Sequence, residues 1–258
     1  MLAARERQAA QCLVAAAVAV GAMLAWPART AAETGLPGAA FGETSPVGAL
    51  FTLTAQGRLK THFCTASVVD SPAGDLLVTA AHCVSRGLAR QIAFVPDYAD
   101  GRSPYGVWTV TQVIMDDDWA QSADPDDDFA FLIVTRPGSP ATLQALTGGE
   151  AVAIGEPAGQ KIEVVGYPDD RDAEISCEST ALAFGTTQFQ LDCGGFTVGT
   201  SGSPFLADLG TGHGLAAVVG VLGGYEHGGT SASVSYAARF NGQLGSLYQT
   251  AVAASEDM

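Results

Sequence analysis

Charged side chains are scarce in this chain of 258 residues, because only 15% of them are Asp, Glu, Lys or Arg. Lysine and arginine together number 12, against 27 acidic residues, which leaves a formal net charge of −15. Such a balance repels the phosphates of nucleic acids. We therefore expect no nucleic-acid partner.

Metal-binding cysteine and histidine spacings are also lacking. The sequence contains no Cys-x-x-Cys and no His-x-x-His, the spacings that are typical of zinc sites. We predict that the protein has no metal and no other cofactor.

Long apolar runs are lacking too. The longest, residues 12–26, is too short and too rich in alanine for a good membrane-spanning helix. Arg5 and Arg7 precede it, and the small residues 28–32 follow it, which is typical of a signal peptide over 1–32. We predict cleavage after Ala32, secretion, and no membrane association afterwards; a retained membrane anchor is the alternative.

Four cysteines follow the predicted signal peptide. An even number in an exported chain indicates two disulfides, although four cysteines allow three pairings. Sequence neighbours are favoured, which pairs Cys64 with Cys83 and Cys177 with Cys193. Each such bond closes a short loop and stabilises the fold by roughly 3 kcal/mol.

The rest of the chain consists mainly of short segments with the pattern of β-strands. Residues 33–45 are Gly-rich and are interpreted as a flexible lead-in or short propeptide. Two all-β units are predicted over 46–140 and 141–258, and only the C-terminal end has helical spacing. The predicted strands are 47–54, 62–69, 76–79, 91–95, 107–115, 129–135, 161–167, 180–184, 187–192, 216–222 and 231–236.

The segment 199–204, Gly-Thr-Ser-Gly-Ser-Pro, is the first candidate for chemistry. A serine hydroxyl is a weak nucleophile at its own pKa and needs a neighbouring base and a cradle for the oxyanion. Glycines allow a tight turn whose N–H groups point outward. Ser201 is the predicted nucleophile, Gly199 and Ser201 the predicted oxyanion hole, and Thr200 and Ser203 are interpreted as local hydrogen-bonding groups.

His82 is the predicted base. It follows a β-run that ends at Thr79, and it lies beside Cys83, whose disulfide would fix the backbone next to the imidazole. A general base must lie within about 2.6–3.2 Å of its partner, so such fixation favours catalysis. A buried histidine in a turn is the structural alternative.

Asp128 is the predicted carboxylate partner of His82. It ends the acidic segment 116–128 and precedes the apolar run 129–134, so a strand can carry it inward. A carboxylate there accepts the imidazole Nδ1–H and fixes the tautomer. Asp126 and Asp127 remain alternatives. The other acidic residues are interpreted as a solvated loop, with a calcium site over 116–127 as an open alternative.

The residues around the other three histidines do not indicate a catalytic role. His62 and His213 are interpreted as surface or structural residues. His227, among glycines, is a candidate for the border of a substrate pocket.

The order His82, Asp128, Ser201 is the one found on double β-barrels. Together the motifs Thr-Ala-Ala-His-Cys (79–83), Asp-Phe-Ala-Phe-Leu (128–132) and 199–204 resemble those of the chymotrypsin/trypsin-like serine peptidases. The resemblance spans about 47–248. It implies two six-stranded antiparallel β-barrels with a C-terminal helix, a Cys64–Cys83 bond, and a secreted serine endopeptidase that cleaves polypeptides through an acyl-enzyme. We expect a monomer.

One departure from the family concerns activation. Thr200 stands where animal digestive members carry an Asp that pairs with a new N-terminal amine, so the resemblance does not extend to that switch. The Gly-x-Ser-Gly-Ser-Pro form is closer to bacterial secreted members, including the glutamyl endopeptidase branch.

The resemblance also implies where the substrate pocket lies, between segments 193–198 and 221–224. Gly195 replaces the Asp of trypsin-like enzymes, and the second wall lacks the histidine expected of a Glu-specific enzyme. We therefore expect an apolar or small substrate side chain, and we expect the second wall to bind the substrate backbone as an added strand. The predicted pocket residues are Gly195, Phe196, Val198, Leu222, Gly223 and Gly224.

Two other functions fit the same residues. Fold does not dictate activity, so a binding protein on a peptidase scaffold is one alternative. A serine esterase with the same catalytic groups is the other.

Overall fold

A computed structural model describes residues 36–37, 46–85, 89–208 and 216–257. The predicted signal peptide, nearly all of the predicted lead-in 33–45, and His213 lie outside the described residues. The described strands are β1 (Leu36–Pro37), β2 (Val47–Leu53), β3 (Leu59–Val68), β4 (Leu76–Thr79), β5 (Ile92–Pro96), β6 (Trp108–Met115), β7 (Ala130–Thr135), β8 (Ala151–Val152), β9 (Lys161–Gly166), β10 (Ile175–Thr180), β11 (Leu182–Phe184), β12 (Gln188–Leu191), β13 (Cys193–Gly194), β14 (Pro204–Ala207), β15 (Ala217–Leu222) and β16 (Ser235–Arg239).

Helices are short, apart from the last. The α-helices are α1 (Ala81–Val84), α2 (Asp117–Ser122), α3 (Leu143–Thr147) and α4 (Gly242–Glu256), and the 3-10 helices are Ala89–Gln91, Pro125–Asp127 and Tyr225–Gly228. Among the helices of the described residues, none is long and apolar enough to cross a membrane.

The first half is a closed antiparallel barrel in the order β2-β3-β4-β7-β6-β5. Its strands are rich in apolar and β-branched residues, which pack a common core. Strand β4 runs antiparallel to β7 with Thr79 opposite Ala130. His82 follows the end of β4 and Asp128 precedes the start of β7, so this register brings both residues to the same rim of the barrel. The core contains Leu50, Phe94, Leu77, Leu132 and Val134.

The second half is an eight-stranded sheet in the order β10-β9-β14-β15-β16-β12-β11, with β8 paired to β15. It forms the second, half-barrel part of the predicted pair of barrels, with seven strands on its main path and β10 and β11 at its two ends. Strands β10 and β14 were not among the predicted strands. The all-β prediction with a C-terminal helix is confirmed.

Both favoured cysteine pairs form disulfides. Cys64–Cys83 joins β3 to α1. Cys177–Cys193 joins the edge strand β10 to β13, which supplies a covalent link at the edge of the sheet.

Helix α4 begins at Asn241, whose side chain accepts hydrogen bonds from the backbone N–H groups of residues 243 and 244. Its apolar side packs on the first barrel, where the rings of Tyr248 and Phe131 lie 5.6 Å apart. The C-terminal segment of the second half is therefore anchored on the first.

Candidate active site

His82 and Asp128 are in direct contact at the rim of the first barrel, where Asp128 is buried and His82 is partly exposed. The His82 Nδ1 lies 2.7 Å from Oδ2 of Asp128, whose side chain is 0% exposed. The carboxylate also accepts from the backbone N–H of His82 at 2.9 Å and from that of Gly224 at 2.8 Å. Because Nδ1–H donates to Asp128, the other ring nitrogen, Nε2, is the one left to accept a proton.

The neighbouring carboxylates have other partners. Asp126 accepts a hydrogen bond from Gln188 Nε2 at 2.7 Å. Asp127 lies in an acidic cluster, where one oxygen each of Asp116, Asp118 and Asp127 lies within 4.8 Å of the others. Burial and then the neighbouring carboxylates raise the pKa of Asp127 to about 6. The calcium alternative at this cluster stays a prediction.

Ser201 lies on a loop that is tied to the first barrel. Its carbonyl accepts from the backbone N–H of Thr65 at 2.8 Å. The Thr65 hydroxyl donates to the Gly199 carbonyl at 3.1 Å. Gly202 has φ +84°, and a Cβ there would lie 2.2 Å from the Thr65 carbonyl oxygen, so the close approach requires glycine.

The hydroxyls next to Ser201 bind within the loop. Thr200 Oγ1 donates to the Thr197 carbonyl at 2.7 Å, and Ser203 Oγ donates to the Thr200 carbonyl at 2.7 Å. Within the described part of the chain, no hydrogen bond uses the backbone N–H of Gly199 or Ser201. These two donors are free to bind an external acceptor.

A cleft of about 1090 Å³ brings His82 and Ser201 to one surface. Three predicted pocket residues line it, namely Phe196, Val198 and Leu222. The Val198 side chain is 71% exposed, so an apolar group faces the cleft without a protein partner covering it.

The other three predicted pocket residues lie behind this lining. The backbone N–H of Gly195 donates to the Ala232 carbonyl at 2.8 Å. A Cβ on Gly223 would lie 2.7 Å from Asp128 Oδ2, and one on Gly224 would lie 2.2 Å from Gln188 Oε1. These glycines pack against the groups that support the cleft instead of lining it.

The predicted strand addition at 221–224 stays a prediction, and within the sheet it is limited to residues 223 and 224. Strand β15 is already paired on both sides, since Val221 lies opposite Pro204 on β14 and Ala238 on β16. The backbone N–H of Gly223 donates to Tyr236. The chain then turns into the 3-10 helix Tyr225–Gly228.

His227 is the residue whose place the sequence left most open. Its ring lies 4.9 Å from that of His82 between centroids, in an edge-on arrangement. Glu226 and His227 both have left-handed backbones, with φ 50° and 55°, and both line the cleft. The only sequence signal was the set of glycines around His227.

Residues outside the predicted motifs also lie in or near the cleft or in the core. Lys60 and Phe63 line the first-barrel side of the cleft, and no motif predicted them. His62 is buried, and its Nε2 lies 3.1 Å from the Arg171 carbonyl oxygen, so it is structural and not a surface residue.

Comparisons with known proteins identify the family and the fold. Residues 64–221 match the family described as the trypsin-like peptidase domain. No curated protein matches the sequence significantly. Among solved structures, the thermostable serine protease AL20 from an extremophilic microorganism is 28% identical, with a TM-score of 0.68 over 81% of this chain and 98% of that one.

Two further structures share the fold at lower identity. Protease Anisep from Arthrobacter nicotinovorans is 23% identical, with a TM-score of 0.68 over 83% of this chain and 98% of that one. A Glu endopeptidase is 16% identical, with a TM-score of 0.65 over 84% of this chain and 96% of that one.

The closed barrel, the second sheet and the C-terminal helix define a chymotrypsin-like double barrel. The family match spans more than half of the sequence. The chain therefore belongs to the family of trypsin-like peptidases, hydrolases that act on polypeptides.

Proposed function

We propose that this protein is a secreted serine endopeptidase with Ser201 as nucleophile, His82 as base and Asp128 as the carboxylate that orients His82. The observation that carries the proposal is the 2.7 Å contact between His82 Nδ1 and buried Asp128, at a cleft that Ser201 also lines. This arrangement leaves His82 Nε2 to take the serine proton.

The proposed reaction passes through an acyl-enzyme. His82 Nε2 takes the Ser201 proton as Oγ attacks the scissile carbonyl, and Asp128 stabilises the imidazolium that results. The unused N–H groups of Gly199 and Ser201 hold the oxyanion. His82 then protonates the leaving amine, and water attacks the acyl-enzyme by the same route.

Removal of the nucleophile tests this proposal. Ser201→Ala should lower kcat on a casein-derived substrate by about 10⁶, judging from unrelated serine proteases. Ser246→Ala, an exposed serine on α4, is the matched control and should keep full activity. Equal activity of Ser201→Ala and the parent would overturn the proposal.

Two rival functions can be separated by substrate and probe. A binding protein on this scaffold should not react with a fluorophosphonate, whereas the parent and Ser246→Ala should be labelled and Ser201→Ala should not. An esterase should turn over esters but not peptide amides. Cleavage of an internal amide bond, in a peptide whose two ends are chemically blocked, identifies an endopeptidase.

We further infer that the cleft accepts an apolar or small substrate side chain. Phe196 and Leu222 line it, and among the described residues of its lining only exposed Glu226 carries a carboxylate. The Glu endopeptidase among the solved structures is only 16% identical, which carries no specificity to this chain. A peptide library should show cleavage after Ala, Val, Leu or Phe, and dominant cleavage after Glu, Lys or Arg would contradict this inference.

Secretion completes the proposal. It is supported by the signal-type sequence over 1–32 and by two disulfides, which persist in oxidising compartments. After expression of the full chain in a secreting bacterial host, the protein should be found in the culture medium. Its N-terminal residue should be Glu33, and it should elute from a size-exclusion column as a monomer. Retention in the membrane fraction would support the anchor instead.

A further inference from the structure

The cleft brings together two imidazoles, only one of which the proposed mechanism uses. The rings of His82 and His227 lie 4.9 Å apart, and one ligand atom each of His82, Asp128 and His227 lies within 4.8 Å of the others. Neutral imidazole nitrogens are the commonest ligands of zinc and related cations in proteins. This pair therefore has the chemistry of a cation site.

We propose that His82 and His227 bind Zn²⁺, or a transition cation of similar preference, and that the bound ion inhibits the enzyme. Zinc binds imidazole nitrogen at about 2.0–2.1 Å, so two nitrogens on one ion lie no more than roughly 4 Å apart. His227 is exposed, so its side chain can turn the short distance that this requires.

Asp128 prepares His82 for this role as it does for catalysis. Its carboxylate holds Nδ1–H at 2.7 Å, which fixes the tautomer and leaves the lone pair of Nε2 as the ligand. Zinc-binding histidines commonly have such a carboxylate on their second nitrogen. Asp128 itself stays buried behind His82, with further hydrogen bonds from the backbone N–H groups of His82 and Gly224.

The backbone around His227 holds the second ligand in place. The N–H of His227 donates to the Gly224 carbonyl at 2.9 Å, and the N–H of Gly229 donates to the Glu226 carbonyl at 3.2 Å. Water can complete the shell of the bound ion. The net charge of −15 further favours cation approach.

The consequence for activity rests on the proposed function. Nε2 of His82 must accept the Ser201 proton, and a nitrogen that donates its lone pair to a metal cannot do so. Zinc should therefore inhibit by occupying the base, and a chelator should restore activity.

Binding is tested on inert protein, so that its outcome does not depend on catalysis. Calorimetry with ZnCl₂ should show one site per chain in Ser201→Ala. Adding His227→Phe keeps a ring against His82 but removes the ring nitrogens. Loss of an outer-shell partner of a metal ligand weakens metal binding about 10- to 100-fold, so loss of the ligand His227 should weaken zinc binding by at least that factor. His227→Gln should do the same, and undiminished zinc binding by both would overturn the proposal.

Inhibition is tested on active protein, with each variant scaled to its own zinc-free rate. Zinc should inhibit the parent, EDTA should reverse the effect, and His227→Phe should need at least about tenfold more zinc. Mg²⁺ prefers oxygen ligands and should not inhibit at the same concentration. Equal inhibition by Mg²⁺ would assign the effect to the acidic surface and overturn the site.

Discussion

The two halves of the molecule hold their parts of the candidate site in different ways. The closed first barrel carries His82 and Asp128, which are joined by a side-chain and a backbone hydrogen bond, with a disulfide at the adjacent Cys83. The open second sheet carries Ser201 on the loop between β13 and β14. That loop is tied to the first barrel through Thr65 and to its own sheet through Leu222.

This difference separates two physical requirements. The imidazole and carboxylate need one fixed orientation, and they lie where a closed sheet and a buried carboxylate provide it. The nucleophile loop must also leave N–H groups free for substrate, and hydrogen bonds to both halves hold it in place. Changes on the first side should act on chemistry, and changes between the halves should act on stability and on loop position.

The first prediction concerns the pair of His82 and Asp128 on the first barrel. Asp128→Asn should lower kcat by about 10⁴, because the amide favours the wrong tautomer of His82 while the fold is retained. The measurement is kcat on a peptide amide, with circular dichroism to verify folding. Asp117→Asn, exposed on α2, is the control and should stay near the parent. An active Asp128→Asn beside an inactive Asp127→Asn would move the role to Asp127.

The next prediction concerns the interface between the halves. Glu150 precedes β8 of the second sheet, accepts a hydrogen bond from Ser67 of β3, and is buried. Burial raises its pKa from 4.5 to about 8. Between these values the unfolded chain releases a proton that the folded chain keeps, so the free energy of unfolding falls as pH rises through this window.

The fall should be on the order of 5 kcal/mol at 1.36 kcal/mol per pKa unit. Glu150→Gln, which is neutral at every pH, should flatten that slope, as measured by urea unfolding at pH 5, 7 and 9. Glu256→Gln, exposed on α4, should keep the parent slope. A parental slope in Glu150→Gln would show that Glu150 is not the group responsible.

The two disulfides sharpen the comparison further. Removal of either should cost about 3 kcal/mol, because the sequence separations are similar, 19 and 16 residues. Only loss of Cys64–Cys83 should also lower kcat in the folded enzyme, because Cys83 adjoins His82. Paired Cys→Ala variants, assayed well below their melting temperatures, make the test; an equal kcat loss from both pairs would contradict it.

The sequence predicted these local features because each has a local signal. Short apolar runs identified β4 and β7, and the step from acidic to apolar residues singled out Asp128. What it did not predict depends on tertiary contacts. Strand β14 begins with a proline and is only four residues long, and it forms because β9 and β15 lie on either side.

The cleft lining shows the same limit. Gly223 and Gly224 were expected to line the pocket, but the packing of Asp128 and Gln188 against them places them behind it. His227 reaches His82 only because two left-handed residues turn the chain back. The spacing of the motif residues predicts neither the position of the two glycines nor the contact between His227 and His82.

The smallest predicted effect tests how the nucleophile loop is held. The Thr65 hydroxyl is fully buried, accepts from the Tyr167 backbone N–H at 2.9 Å and donates to the Gly199 carbonyl at 3.1 Å. Thr65→Val keeps the shape but leaves both partners unsatisfied, which should cost about 1–3 kcal/mol in chemical unfolding.

Because Gly199 supplies a proposed oxyanion donor, Thr65→Val should also lower kcat more than it raises KM. Thr65→Ser restores the hydroxyl and should recover most of both losses, although it lacks the methyl group. If Thr65→Val lost stability but kept its kcat, the Thr65 bond would serve the fold alone, and the loop would be held in place by its backbone bonds to Thr65 and Leu222.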